Sequence, residues 1–259
     1  MNHKKMKANE KEGCQGIVKL SRRLRKVADF VKPGSRIADI GTDHGYVPVY
    51  LAQTGKIRSA LAMDVRTGPL ERAREHIRQY EEWAARNVKR PCPVKTRLSD
   101  GLKELKPGEA DTVIMAGMGG ELEIRILDQG RHMWDSVSHW LLSPHSELEQ
   151  VRRYLEANGF VILDEAMVKE EGKFYTVISA GRGHMRYERQ IEYLYGARLM
   201  EKRDLVLKEY LDKEMHRIKG IYNGLKSDGS EPMTEGQSRA CKALEQELLW
   251  IKEAQDEMR

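Results

Sequence analysis

Residues 36–46 read RIADIGTDHGY: a short run that ends a strand, then within a few positions an acid, a glycine, a second acid, a histidine and another glycine. Glycines at 41 and 45 let the backbone turn tightly and let a ligand approach the amides that open the next helix. The spacing is G-x-x-x-G and not the G-x-G-x-x-G of dinucleotide binders. Carboxylates fill the loop instead, since Asp39 precedes the turn and Asp43 stands inside it. Such a turn repels a pyrophosphate and suits a ligand that carries an ammonium and a sulfonium.

Outward from this turn the chain alternates strand and helix. IADI (37–40), SALAMDV (59–65), VKTRLSD (94–100), DTVIMAG (111–117) and HWLLSP (139–144) are apolar or β-branched runs, each expected to lead into a helical segment. Continuous apolar strands separated by helices predict a parallel sheet covered on both faces. The helix after HWLLSP is expected to open on a capping box, Ser146 with Glu149, and to stop at Asn158-Gly159. FVILDEAMVKEEGKFYTVISAG (160–181) then reads as two strands around EEGK. The expected fold class is α/β, a Rossmann-like seven-stranded sheet with one reversed strand.

Ahead of the sheet, KLSRRLRKVADFVKPG (19–34) predicts a short amphipathic helix capped by Ser21, with Leu20, Leu24, Val27, Ala28 and Val31 on one face and a stop at Pro33-Gly34. After Gly183, Leu211, Met215, Ile218, Tyr222 and Leu225 recur at heptad-like spacing, as do Leu244, Leu248, Ile251, Gln255 and Met258, with SDGSEP between the runs. They predict a C-terminal α-helical coiled-coil hairpin, or equally an ordinary helical appendage on the core. The expected domains are a disordered basic arm (1–17), a ligand-binding Rossmann-like catalytic domain (18–183) and the helical coiled-coil domain (184–259).

The basic excess is local. Residues 1–35 hold ten Lys or Arg against three acids, residues 36–181 hold 20 against 22, and residues 182–259 hold 15 of each. No apolar run approaches the ~20 residues that span a bilayer, and the first residues lack the apolar stretch of a signal peptide, so no membrane association and a cytoplasmic location are expected. Cys14, Cys92 and Cys241 are scattered, read as free thiols, and give no spacing for a metal.

In a parallel α/β sheet the ligand sits beyond the carboxyl ends of the strands. The second strand ends in Met63-Asp64-Val65, where an acid can hold both hydroxyls of a ribose; the third ends in Ser99-Asp100-Gly101, with an acid placed to accept from an adenine amino group. The fourth ends in Ala116-Gly117-Met118-Gly119-Gly120, a turn almost without side chains. Acids at three successive strand ends and a bare turn at the fourth outline an S-adenosylmethionine site.

LSRRL (20–24), ADIGTDHGYVPVYLA (38–52), IMAGMGG (114–120) and the C-terminal helical hairpin together resemble the bacterial tRNA (adenine-22-N1)-methyltransferase family, class I S-adenosylmethionine-dependent enzymes, over residues 18–259. The resemblance implies that Asp39, Gly41, Thr42, Asp43 and Gly45 form the cofactor-binding first loop. Asp64 and Val65 would then meet the ribose, Asp100 and Gly101 the adenine, and Ala116, Gly117, Met118 and Gly119 the methyl donor, with Arg23 the partner of the methionine carboxylate. It implies tRNA as substrate, with the nucleotide extruded from the folded RNA. Asp43 is the expected carboxylate facing the charge that develops on adenine, His44 and Tyr46 are the nearest groups able to orient the base, and Pro144-His145-Ser146 is a further candidate wall. Arg22, Arg25 and Lys26 are expected to meet phosphates. No obligate protein partner is evident. Two other readings stay open: a methyltransferase acting on a small molecule or protein, and a non-catalytic RNA-binding protein on the same fold.

Overall fold

A computed structural model describes residues 18–87, 92–227 and 234–259. The basic arm 1–17 with Cys14, and Asp228–Pro232 of the loop between the heptad runs, lie outside the described residues.

Seven strands form one sheet: β1 (Ser35–Ile40), β2 (Ile57–Asp64), β3 (Val94–Leu98), β4 (Thr112–Ala116), β5 (His139–Ser143), β6 (Phe160–Glu170) and β7 (Lys173–Arg182), in the order β3-β2-β1-β4-β5-β7-β6. Strands β2 and β4 flank β1 in parallel, and β2 pairs in parallel with β3. Burial on both faces explains the apolar runs: Ile37, Ala38 and Ile40 of β1 and every residue of β5 are buried. Strands β6 and β7 form the expected antiparallel hairpin. Its two-residue turn, Glu171-Gly172, has positive φ at both positions, as a type I′ turn requires.

Two helices pack on the β1–β3 half of the sheet, α2 (Tyr46–Gln53) and α3 (Thr67–Asn87). In α3 the buried Leu70, Ala73, Ile77, Tyr80 and Ala84 recur every three or four residues, one apolar stripe on a long amphipathic helix. The N-terminal helix α1 (Arg22–Phe30) forms as expected, with the Ser21 hydroxyl accepting from the Leu24 amide at 3.3 Å and Val27, Ala28 and Val31 buried.

The link from β3 to β4 departs from expectation, because residues 99–111 form turns and no helix. Gly101, Pro107 and Gly108 interrupt the segment, yet Leu102 and Leu105 are buried. Arg97 ties it down with two bonds to the Glu109 carboxylate, at 2.6 and 2.8 Å, and one to the Glu104 carbonyl at 2.7 Å.

The chain divides into two compact units, one running to Ala116 and including Arg125–Leu141, the other comprising Gly117–Ile124 and Leu142–Arg259. The second contains the first half of α4 (Gly120–Gln129), α5 (Leu148–Ala157), the β6–β7 hairpin, a π-helical turn (Glu192–Gly196), α6 (Ala197–Glu201), α7 (Leu205–Ser227) and α8 (Glu235–Glu257). Helices α7 and α8 pack together along the heptad seam, where Leu211, Ile218 and Ile251 are buried, and Met167 of β6 joins the same core. At Gln255 the seam turns polar: its amide donates to Asp212 at 2.7 Å, while the neighbouring Ala254 takes the buried position.

The capping box expected at α5 does not form. Residue 147 is the N-cap, in the left-handed region at φ 52°, and makes no side-chain cap bond. The Ser146 hydroxyl bonds to the Glu147 carboxylate, and Glu149 accepts from Arg153 and Gln190. The predicted stop holds, with Asn158 as C-cap and Gly159 at φ 71°.

Candidate active site

Backbone bonds bring the acid-bearing turns together. The Thr42 amide donates to the Met63 carbonyl at 2.9 Å, tying the β1 turn to the end of β2, and the Ser99 amide donates to the Asp64 carbonyl at 2.9 Å, tying β2 to the end of β3. Parallel register places Asp39 beside Ala62 and Asp64 beside Leu98. Asp39 and Asp64 are both buried. The Thr42 hydroxyl donates to Asp39 at 2.6 Å, and the Asp64 carboxylate accepts from the Arg66 amide at 2.7 Å, which shapes the entry to α3.

Burial pushes the Asp39 carboxyl up to about 7; the Thr42 hydroxyl opposes this, and the charges of Asp64 and Asp43 add to it. An acid raised chiefly by burial, with two further acids beside it, is stabilised in its charged form by any cation brought close. Asp100 differs, since it is exposed and paired with Lys103, which holds its carboxyl below the usual range. Gly101 sits at φ 60°, where a side chain is strained, and a Cβ there would crowd the Ile126 side chain at 3.0 Å. Val65 is 60% exposed beside Asp64, leaving an apolar side chain open at the strand end.

The loop itself is shaped by α3. Gly41, His44 and Gly45 all have positive φ. A Cβ at Gly45 would stand 3.1 Å from that of Ala73 in a left-handed backbone, so glycine favours the close start of α2 beside α3. Arg72 reaches within 3.6 Å of Asp43, whose side chain is 74% exposed, and His44 Nε2 lies 3.4 Å from the same oxygen. The rings of His44 and Tyr46 stack at 5.1 Å, and His76 of α3 lies 4.9 Å from the Tyr46 ring. Sequence reasoning passed over Arg72 and His76, which stand some 30 residues from the turn they support and carry no local motif.

In the second unit, the turn after β4 is built on the loop that follows β5. The Gly117 amide donates to the Ser143 carbonyl at 3.2 Å, His145 donates to the Met118 carbonyl at 2.8 Å, and Gly120 donates to the Glu147 carboxylate at 3.1 Å. A Cβ on Gly120 would lie 2.6 Å from the Ser146 carbonyl oxygen. The glycines therefore serve backbone approach, and Glu147 caps α4 from a neighbouring loop where its charge complements the helix dipole. His145 rests edge-on against Tyr175 at 5.5 Å. Glu123, which the sequence did not single out, is fully buried beside the Ser143 backbone, and burial holds its carboxyl well above the usual range.

On α1, Arg22 and Arg25 are exposed, whereas Arg23 and Lys26 are half-buried. Arg25 bonds Asp29 at 3.1 Å and lies 4.9 Å from the Tyr50 ring centre, so part of its charge is already engaged.

A largely parallel sheet with acids at adjoining strand ends and a glycine turn without the dinucleotide pattern suits a cationic ligand rather than a dinucleotide. The chain belongs to the methyltransferase domain family, whose model matches residues 20–178. It is 29% identical over 248 residues to the tRNA (adenine(22)-N(1))-methyltransferase of Bacillus subtilis, covering 92% of this chain and 98% of that one. The solved structure of the B. subtilis m1A22 tRNA methyltransferase superposes with a TM-score of 0.74 at 29% identity, covering 92% of this chain and 99% of the other. A Streptococcus pneumoniae protein solved with S-adenosyl-L-methionine gives a TM-score of 0.75 at 27% identity over 91% and 99%.

Proposed function

We propose that this protein transfers the methyl group of S-adenosylmethionine to N1 of adenine 22 in tRNA. The observation that carries the cofactor reading is the Asp39–Asp64 pair: two buried carboxylates at neighbouring strand ends, one of them raised to about 7, fit a cationic ligand and repel a phosphate. The target nucleotide is drawn from the B. subtilis relative, which this chain spans nearly end to end.

In this reading Asp39 and the Gly41-Thr42-Asp43-Gly45 turn hold the methionine end, Asp64 accepts from the ribose hydroxyls with Val65 against the sugar, and Asp100 with Gly101 borders the adenine. Ala116, Gly117, Met118 and Gly119, which continue directly from β4, complete the cofactor residues, and Arg23 pairs with the methionine carboxylate. S-adenosylmethionine supplies an electrophilic methyl group on a sulfonium. Adenine N1 attacks with its own lone pair, so no base has to remove a proton first. The product ring carries the positive charge, and the task left to the protein is to orient the base and favour that charge. Asp43 supplies a carboxylate at the mouth of the turn; His44 and Tyr46 bound the base beside it. Arg22, Arg25 and Lys26 meet RNA phosphates from α1, and residues 184–259 provide reach along the tRNA as a helical domain appended to the catalytic domain, 18–183. The reading places the protein where tRNA is processed, in the cytoplasm.

The test is to incubate the protein with methyl-labelled S-adenosylmethionine and two tRNA transcripts, one with adenine and one with guanine at position 22, and to identify the labelled nucleoside. Label in N1-methyladenosine from the first transcript alone is expected. Label on both, or on neither, would overturn the assignment.

A further inference from the structure

We propose that His76 is a positioning residue for the reaction: its Nδ1–H and its ring together hold the turn that presents His44 and Tyr46 to the target adenine. This deepens the preceding reading and rests on it.

The turn has a conformational problem. His44 sits at φ 59°, a left-handed backbone that a residue with a Cβ adopts at a cost, and Gly45 follows at φ 66°. Two consecutive left-handed residues persist only where the surroundings fix them. Here the fixing element is one face of α3. Ala73 fills the space under Gly45, Arg72 reaches Asp43, and His76 lies one turn further on. His76 Nδ1 stands 2.8 Å from the His44 carbonyl oxygen. A carbonyl only accepts, so Nδ1 carries the hydrogen, and the bond pins the peptide that joins the two left-handed residues.

The same ring does a second thing. It lies 4.9 Å from the Tyr46 ring with 28° between the planes, and 5.7 Å from the His44 ring. With His44 and Tyr46 themselves stacked at 5.1 Å and 5°, the three rings form a triangle. His44 belongs to the turn and Tyr46 opens α2, whereas His76 comes from α3, where it is anchored by the buried stripe on either side, Ala73 and Ile77. His76 therefore flanks both of the other rings and restricts their movement toward α3. Arg72 reaches the Asp43 carboxylate and Ala73 packs under Gly45, whereas His76 meets both the backbone of the turn and the neighbouring rings. Its contacts on the turn are with the His44 carbonyl and the His44 and Tyr46 rings, while the buried Asp39 is held by Thr42, so its loss is expected to fall far more on the presentation of the base-facing groups than on cofactor affinity.

Two variants of the full-length protein separate its parts. His76→Asn keeps an N–H donor near the Nδ1 position and removes the ring; His76→Phe keeps a ring and removes the donor. Each is assayed beside the wild type with methyl-labelled S-adenosylmethionine and the adenine-22 transcript, for kcat at saturation, KM for tRNA, cofactor Kd by calorimetry and Tm. His76→Phe is expected to lower kcat at least tenfold, with cofactor Kd within twofold of wild type and Tm within a few degrees, and His76→Asn to retain more kcat than His76→Phe. Hydrogen exchange at the Gly45 and Tyr46 amides is expected to quicken in His76→Phe. Both variants within twofold of wild-type kcat, or a loss that follows cofactor Kd or Tm, would overturn the inference while leaving the functional reading intact. A wild-type protein that does not methylate the transcript would sink both.

Discussion

Replacing Asp39 by Asn should make the protein more stable and less able to hold its cofactor, with the stability gain growing from about pH 4 to its full size by about pH 7. The carboxyl is buried, and its pKa is raised from 3.8 to about 7 chiefly by that burial. A folded-state pKa above the unfolded one means that the folded protein binds the proton more tightly, so stability falls as pH rises from about 4 to 7 and the full penalty is present above 7. A shift of about three units corresponds to an upper limit of about 4 kcal/mol. Asparagine has the same shape, can accept from the Thr42 hydroxyl, and does not titrate. Asp39→Asn should therefore exceed the wild type only slightly near pH 4.5 and far more at pH 8, by up to about 10 °C in Tm at a few degrees per kcal/mol for a chain of this size. Calorimetry with S-adenosylmethionine at pH 8 should show the opposite sign, at least tenfold weaker binding, because an anion facing a cation is gone. Scanning fluorimetry at the two pH values checks the first part. A stability change of equal size at both would show that the amide acts through packing, and an unchanged cofactor Kd would mean that Asp39 does not face the cationic end.

Asp64→Ala should weaken S-adenosylmethionine binding by about 1.5 to 3 kcal/mol, read by calorimetry, since it removes a charged acceptor at a strand end while the sheet stays folded. Asp43→Asn should keep cofactor Kd within a few-fold while methylation under saturating substrates falls by about 10² to 10³; restoration of turnover by excess cofactor would demote Asp43 to a ligand. Changing Arg22, Arg25 and Lys26 to Gln should weaken tRNA binding and flatten its salt dependence by about one unit of slope for each phosphate left without its cation, with Arg25 contributing least because Asp29 already holds it, as filter binding across a salt series would show. Arg152→Met should cost about 3 to 5 kcal/mol in urea unfolding, because it leaves the Glu165 carboxylate buried without its ion pair at 2.8 Å, and a second change, Glu165→Leu, should recover most of that loss.

The strand ends were readable because a parallel sheet buries both faces, so its strands are continuous apolar runs and the acids that follow stand out against them. The helical seam was readable for a similar reason, through spacing alone. What escaped depends on partners distant in the chain. Ser146 and Glu149 have the spacing of a capping box, but Glu147 is drawn away to cap α4 and takes the left-handed position, so the local signal lost to a tertiary one. The true box, Thr234 with Gln237, lies at the start of α8. The segment after β3 has buried leucines and reads as helix, yet its glycines and proline divide it into turns that Arg97 then secures. His76 has no motif at all, and only the packing of α3 beneath the turn gives it a role.

Arg152 offers a different kind of lesson. Its guanidinium, fully enclosed, donates to Glu165 of β6 and also to the carbonyls of Tyr193 and Leu194, beyond the last strand, while Gly196 presses so close to Glu165 that an added Cβ would lie 2.5 Å from the carboxylate. A chain cut after the sheet would leave this cation facing water through a gap where two of its acceptors had been. The helical tail is thus no detachable accessory of the sheet. Its first turn finishes the fold of the strands before it, and a chain truncated there would have to settle the same charge by other means.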